Sequence, residues 1–189
     1  MTVINPLSPD SASSLDVESG ASGGDSYSHG MAIALRKLNA HARTRHEISR
    51  VLSDKGVEES VSLLVLDRLT ELGYIDDSEF AQAWVRSRIK SRGLAPSVLR
   101  RELQTKGVDP DLIEAALSTI SPLDTSHRAR ELAEKKYRSL SGVSESIAMR
   151  RISAFLQRKG YSCAESFSIA RSVVGGCEIP GEILDFPND

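Results

Sequence analysis

The sequence predicts an all-α fold: an elongated array of three tandem units with three helices in each unit. Two observations support this prediction. A short pattern occurs three times, as ISRVLSDKGV at 48–57, LRRELQTKGV at 99–108 and ISAFLQRKGY at 152–161. Its Lys-Gly pairs are 51 and 53 residues apart, a period typical of tandem structural repeats. In addition, apolar residues between 31 and 174 recur at helical spacing, and no segment alternates convincingly as a half-buried strand does.

Each copy of the pattern predicts the end of a helix. Glycine adopts the left-handed conformation that follows many helices at little cost, and a lysine just before it is favourable at the negative end of the helix dipole. A leucine and a second apolar residue then occupy the two positions that touch in a Schellman cap. The glycines, the leucines and their apolar partners are Gly56, Gly107 and Gly160; Leu52, Leu103 and Leu156; and Val57, Val108 and Tyr161.

Nine helices are predicted in chain order, three in each unit. The units are predicted at 31–73, 74–121 and 122–174, with helices near 31–40, 43–55, 59–72, 77–91, 96–106, 110–120, 125–139, 145–159 and 163–174.

Several of these helices have recognisable start signals. Asp76 followed by Glu79 resembles a capping box, and the apolar residues of the helix that follows share one face. Asp109 is an N-cap residue before a proline at the first helical position. Ser162 followed by Glu165 resembles a second capping box, at the start of the last helix.

The two ends of the chain differ in composition from the helical body. Residues 1–30 contain eight serines, four glycines, two prolines and no basic residue. Such a composition cannot offset the entropy lost on ordering, so we expect a disordered acidic N-terminal arm at 1–30. The acidic segment at 175–189, which contains glycine and proline, is expected to be a disordered tail.

Composition also narrows the class of protein. Aromatic residues make up 5% of the chain, so the core must be mainly aliphatic. Two cysteines are too few for a disulfide framework or a four-thiolate zinc site, which favours a reduced cytosolic protein. No apolar run is long enough to span a membrane, and the N-terminus lacks the basic and apolar regions of a secretory signal. We therefore expect a cytoplasmic protein without a membrane partner.

Charge is segregated along the chain. The formal net charge is -2, yet all 24 lysines and arginines lie between Arg36 and Arg171. Residues 31–174 carry 18 acidic residues against these 24 basic ones, a net charge of +6, and the remaining acidic residues lie in the two ends. A basic helical body with acidic ends is thus expected.

The residues most suited to catalysis have simpler interpretations. His41 and His46 do not have metal-ligand spacing, and no glycine-rich phosphate loop is present. The acids Asp76 and Asp77, with Glu79 beside them, are favoured as helix-capping groups over paired catalytic acids. Cys163 has no identifiable partner base and is expected to be packed or inert. We therefore predict no enzymatic activity, no metal and no cofactor.

Basic residues are the strongest candidates for a binding site. Two helical hairpins, around 86–101 and 135–151, each present several cations near a helix junction, and the stretch 86–106 contains a single acidic residue. An ordinary solvated surface is the simpler alternative, but such a local excess suits a phosphate backbone or an acidic protein groove. The candidate residues are Arg86, Arg88, Lys90, Arg92, Arg100, Arg101, Lys135, Lys136, Arg150 and Arg151.

One segment also resembles a known family. GYIDDSEFAQAW at 73–84, the arginines that follow it and LRRELQTKGVDPDLIEAAL at 99–117 closely resemble the signature of the RecX regulatory proteins. The resemblance implies a non-enzymatic modulator of RecA, the bacterial recombinase that forms filaments on single-stranded DNA. The resemblance also implies that the protein acts as a monomer lying in the filament groove. There it would inhibit strand exchange, ATP hydrolysis and SOS co-protease activity. The alternative is a general basic helical DNA-binding protein that acts without RecA.

Overall fold

The computed structural model describes residues 19–176. In this range it contains nine helices and no strand, as the sequence predicts. None of these helices is both long and apolar enough to cross a membrane. The helices are α1 Ser19–Ala40, α2 Arg45–Asp54, α3 Glu59–Glu71, α4 Asp77–Arg92, α5 Pro96–Thr105, α6 Pro110–Ser118, α7 Pro122–Arg138, α8 Glu145–Arg158 and α9 Cys163–Gly175.

The start of α1 corrects the predicted arm. Residues 19–30 were expected to lack regular structure, but α1 begins at Ser19. Tyr27 packs against the first core, and a Cβ atom added to the buried Gly30 would lie 3.4 Å from the side chain of Val65 on α3. These contacts with the first core favour the helix despite a composition that does not. Residues 1–18 and 177–189, the rest of the expected arm and tail, lie outside the described residues.

The core is divided into three clusters that follow the three groups of helices. The first joins α1, α2 and α3, the second α4, α5 and α6, and the third α7, α8 and α9. All three are mainly aliphatic, as expected. Two residues pack across the predicted boundaries, since Ile75 belongs to the first cluster and Ala95 to the third.

The repeated Lys-Gly pattern forms three Schellman caps, as predicted. At the end of α5, the N–H of Val108 donates to the carbonyl of Leu103 at 3.2 Å and the N–H of Gly107 donates to the carbonyl of Gln104 at 2.9 Å. Gly107 has φ +71°, in the left-handed region. The same pair of bonds ends α2 at Gly56 and α8 at Gly160.

The predicted helix starts are also confirmed by side-chain bonds. Asp76 accepts the N–H of Glu79 at 2.8 Å, and Ser162 accepts the N–H of Glu165 at 3.2 Å. The start of α2 has a complete capping box that was not predicted. There Thr44 accepts the N–H of Glu47, and the Glu47 carboxylate accepts the N–H of Thr44.

The first two units meet where α2 begins and α5 ends. The Thr44 hydroxyl donates to the carbonyl of Lys106 at 2.7 Å. Gly107 lies so close to His46 that an added Cβ atom would be 2.3 Å from its ring. The N–H of Arg45 also donates to Asp77 at 2.9 Å, which ties α2 to the start of α4.

The second and third units meet in the equivalent way, where α5 begins and α8 ends. The N–H of Ala95 donates to the carbonyl of Lys159 at 2.9 Å, and the Ser97 hydroxyl donates to the carbonyl of Gly160 at 2.6 Å. A Cβ atom added to Gly160 would be 2.4 Å from Val98. Both junctions therefore place the start of the second helix of one unit on the Lys-Gly end of the second helix of the next unit.

Candidate binding surface

The three units differ in net charge. Residues 31–73 contain seven basic residues against six acidic ones, and residues 74–121 contain seven of each. Residues 122–174 contain ten basic residues against five acidic ones, a net charge of +5. The excess in the hairpin at 86–101 is offset by acids at the start of α4 and on α6, so most of the positive charge of the helical body lies in the third unit.

Arg88, a candidate binding residue, is held within the second unit. Its guanidinium carbon lies 3.9 Å from the centroid of the Trp84 ring, and its Nε lies 3.4 Å from the carboxylate of Glu102. The indole N–H of Trp84 donates to the same carboxylate at 2.8 Å. Trp84 packs partly buried against the second core. Arg88 therefore stabilises the α4–α5 pair and is poorly placed to bind a partner.

Lys106 covers the same tryptophan and connects two units. Its ammonium lies 4.4 Å from the Trp84 ring centroid and donates to the carboxylate of Glu47 at 2.8 Å. Burial opposes ionisation of Glu47, but the bonds from Lys106 and from the Thr44 N–H, together with nearby positive charge, outweigh it and lower the Glu47 pKa. This cation is therefore part of the first junction.

Arg100 is also paired. Its Nε and Nη2 donate to the two carboxylate oxygens of Glu114 on α6, at 2.7 and 2.8 Å. The bidentate hydrogen bonds lower the pKa of Glu114 and raise that of Arg100. The pair is exposed, so it adds little to stability. It does neutralise the charge of Arg100, which was a candidate for binding a partner.

The other eight candidates form no ion pair with any residue of the described range. All but Lys136 are exposed, and Lys136 is half-buried. They lie on α4 and α5 in the second unit and on α7 and α8 in the third, and they are Arg86, Lys90, Arg92, Arg101, Lys135, Lys136, Arg150 and Arg151.

The second junction brings part of this charge together across two units. The ammonium of Lys159 donates to the carbonyl of Arg92 at 2.6 Å, so the end of α4 lies next to the end of α8. The buried Tyr161 donates its hydroxyl to the carbonyl of Gly93 at 3.2 Å. Burial raises the pKa of Tyr161 to about 12, the negative charge of Glu165 adds to this, and the positive charge of Arg128 opposes it. Lys159, absent from the candidate set, thus lies next to Arg92 at this junction.

Two grooves lie on the surface of the described chain, and one of them is lined by a candidate residue. Arg150 lines a groove of about 320 Å³ between α8 and α9, together with Phe167, whose side chain is half exposed. A second groove, of about 490 Å³, lies where the first two units meet and is lined by Tyr74, Phe80 and Trp84 of the GYIDDSEFAQAW segment. The first groove offers apolar surface next to Arg150, whereas the second is lined by Arg43 and by the acids Asp76 and Glu79.

The alternative catalytic residues have structural partners. Asp76 caps α4, and Asp77 accepts the N–H of Arg45 across the first junction, with a pKa that burial raises. Of the two expectations for Cys163, a packed or an inert thiol, the structure excludes the first, since Cys163 is exposed. Within residues 19–176, no three His, Cys, Asp or Glu side chains come together in a way that would hold a metal ion.

Comparison with known families matches the three units one by one. Residues 31–69 match the first three-helix domain of RecX, residues 76–117 the second and residues 124–165 the third. These three matches extend over more than half of the chain.

Known proteins of similar sequence are named Regulatory protein RecX. The chain is 36% identical over 164 residues to Regulatory protein RecX of Thermobifida fusca, with 87% of each chain covered. It is 38% identical over 162 residues to Regulatory protein RecX of Streptomyces coelicolor, with 86% of each covered. Among solved structures, RecX from Lactobacillus salivarius superposes with a TM-score of 0.71 at 27% identity, covering 79% of this chain and 97% of that one.

Proposed function

The chain belongs to the RecX family of regulatory proteins, and from this premise we propose that it regulates the recombinase RecA. In this proposal it binds the filament that RecA forms on single-stranded DNA, and limits its growth or promotes its disassembly. The recombinase, ATPase and SOS co-protease activities are thereby inhibited. The protein acts by binding in the cytoplasm and catalyses no reaction itself.

The distribution of unpaired cations is the observation that supports this proposal. Lys135, Lys136, Arg150 and Arg151 have no acidic partner among the described residues and lie in the unit whose net charge is +5. Unpaired lysines and arginines on one unit attract a phosphate backbone or an acidic protein groove, because neutralising such charges releases counterions or satisfies bare carboxylates.

The array form supports the same target. Each unit contacts its neighbour at a helix end, so the three units follow one another in a row. Repeat proteins of this kind offer long surfaces to a partner. The second unit also carries four exposed cations that form no ion pair with a described residue, Arg86, Lys90, Arg92 and Arg101. A polymer with a continuous groove matches such a surface better than a small globular partner does.

The test is to follow ATP hydrolysis by RecA on single-stranded DNA while the purified protein is added. We expect inhibition at stoichiometric or lower amounts of the protein. A variant with both Arg150→Glu and Arg151→Glu should need about tenfold more protein or more for the same inhibition, since about 1.4 kcal/mol of lost binding is a factor of ten. Absence of inhibition by the unmodified protein would refute the proposal.

A matched control is available on the first unit. Arg36 and Lys37 are also adjacent and exposed on their helix and form no ion pair with a described residue. Reversing both charges changes the net charge by the same amount, so inhibition should stay within about twofold if the third unit carries the binding.

The general DNA-binding alternative predicts a different result in the same samples. Such a protein would bind DNA with an affinity that falls with salt and would not be retained by RecA in the absence of DNA. We expect instead that immobilised RecA retains the protein without DNA.

A further inference from the structure

The structure contains three copies of the Lys-Gly helix end, and only two of them have a partner within the described chain. The ends of α5 and α8 each receive the start of the second helix of the preceding unit. The third copy, Lys55-Gly56 at the end of α2, has the same cap and a φ of +75° at Gly56. Apart from its own chain neighbours, a Cβ atom added to Gly56 would have no described atom within 4 Å.

The opposite end of the array carries an unused copy of the complementary part. The segment SGVSESI at 141–147, which leads into α8, is the counterpart of RGLAPSV at 92–98, which leads into α5 and docks on the third unit. Gly142 and Gly93 both have positive φ, +77° and +58°. The N-cap residues Ser144 and Ala95 have nearly the same backbone angles, φ -65° and ψ 154° against φ -75° and ψ 157°.

The side chains that make the second junction also have counterparts at this free end. Ser97, which donates to the carbonyl of Gly160, corresponds to Ser146. Val98, which lies against Gly160, corresponds to Ile147, another β-branched residue, which is 36% exposed. Ile147 thus has no contact within the described chain that corresponds to the contact between Val98 and Gly160.

We propose that a second copy of this chain docks its 141–147 segment on the Lys55-Gly56 helix end, so that molecules associate head to tail. In this interface the Ser144 hydroxyl donates to the carbonyl of Lys55, as Thr44 donates to that of Lys106. Ile147 packs on Gly56, as Val98 packs on Gly160. The proposal differs from the monomer that the family resemblance implies.

The geometry of this contact determines the kind of assembly. The two surfaces are different and lie on the first and third units, so a molecule that uses one of them still offers the other. Such a heterologous contact produces open chains unless the rotation between copies closes a ring. The contact area is that of one helix end, which implies weak and concentration-dependent association.

The test is sedimentation equilibrium of the full chain over a range of concentrations, with neither RecA nor DNA present, so its result is independent of the proposed function. We expect the average mass of the unmodified protein to rise with concentration beyond that of a dimer. Ile147→Glu, which places a charge in the apolar contact, should weaken association at least about tenfold. Gly56→Asn should do the same, since Asn tolerates the left-handed conformation but adds a side chain at the contact.

Two controls and a mixing experiment complete the test. Gly73→Asn changes another exposed left-handed glycine, at the end of α3, and Leu123→Glu changes a leucine that is 73% exposed on α7. Both should leave the mass unchanged. The Gly56 and Ile147 variants each retain one intact surface, so an equal mixture should form dimers and nothing larger.

Several results would overturn the proposal. They are a monomer at every concentration reached and a closed dimer that both variants leave intact. A mixture of the two variants that stays monomeric would overturn it as well.

Discussion

Gly107 shows how much one residue decides at a unit junction. Its left-handed conformation alone favours glycine, as the sequence predicts, but its surroundings add a second requirement. A Cβ atom there would be 2.3 Å from Cγ and 2.4 Å from Cβ of His46, and the Cβ atom of His46 cannot move without shifting the start of α2. Gly56, with φ +75° and open surroundings, has the first requirement only.

The two glycines form a matched pair for mutation. Gly56→Ala should lower the free energy of unfolding by about 1 kcal/mol, the cost of the left-handed conformation. Gly107→Ala should lower it by about 2–4 kcal/mol, because the overlap with His46 is added to the same conformational cost. Urea denaturation of dilute samples measures both values. Equal losses would show that His46 is not held against Gly107.

At the scale of the element, the start of α2 combines a capping box with an ion pair. Glu47 caps α2, accepts the Lys106 ammonium from the next unit and has a lowered pKa. A carboxylate whose pKa is lowered by folding stabilises the fold above its unfolded pKa, and this contribution is lost as the pH falls through the folded pKa.

Glu47→Gln should therefore destabilise the protein in a pH-dependent way. We expect a loss of about 1–2 kcal/mol at neutral pH, because a charge-assisted hydrogen bond and half of the capping box are weakened. The difference from the unmodified protein should shrink as the pH falls through the lowered pKa of Glu47, because the carboxylate then becomes protonated. Urea denaturation at several pH values measures it, and Glu114→Gln, in the exposed pair with Arg100, is the control expected to change stability much less. A loss that is independent of pH would contradict the role of the ionised carboxylate.

Helix ends could be predicted from the sequence because their signals are local. The Lys-Gly caps and the Asp76 and Ser162 starts depend on residues within a few positions of each other, and all are present. The first turns of α1 were missed because they are stabilised by packing of Tyr27 on the first core and by the close approach of Gly30 to α3. Such contacts have no local pattern.

The same limit applies to the candidate binding residues. The basic character of the two hairpins is visible in the sequence, but the pairing of individual cations is not. Arg88 and Arg100 are neutralised by Glu102 and Glu114, which lie on other helices. Which cations stay available to a partner therefore depends on the packing of α4, α5 and α6.

At the scale of the whole molecule, stability should behave as a sum of units and junctions. The three cores are separate, and the second junction is made by a few bonds around the end of α8, including those of Ser97 and Tyr161. In repeat proteins the coupling between neighbours depends on such interface bonds.

Removing the hydroxyls of Ser97 and Tyr161 should weaken the coupling between the second and third units. In a Ser97→Ala, Tyr161→Phe variant we expect the third unit to lose about 1–2 kcal/mol of coupling, because the buried carbonyl of Gly93 and the carbonyl of Gly160 lose their donors. Hydrogen exchange should then show lower protection in α7, α8 and α9 and nearly unchanged protection in α1, α2 and α3. Ser91→Ala is the control, since that hydroxyl bonds within α4. Uniform loss of protection over all three units would contradict this view of the array.

The narrow junctions also have a mechanical consequence. Every extensive helix-to-helix packing lies within a unit, while neighbouring units are joined around a helix end. A joint of this kind resists separation through its hydrogen bonds but bends with little elastic strain, because no long side-by-side surface must slide. We therefore expect the three units to tilt relative to one another and to follow a screw-shaped track whose pitch varies, while the packed interior of each unit is preserved.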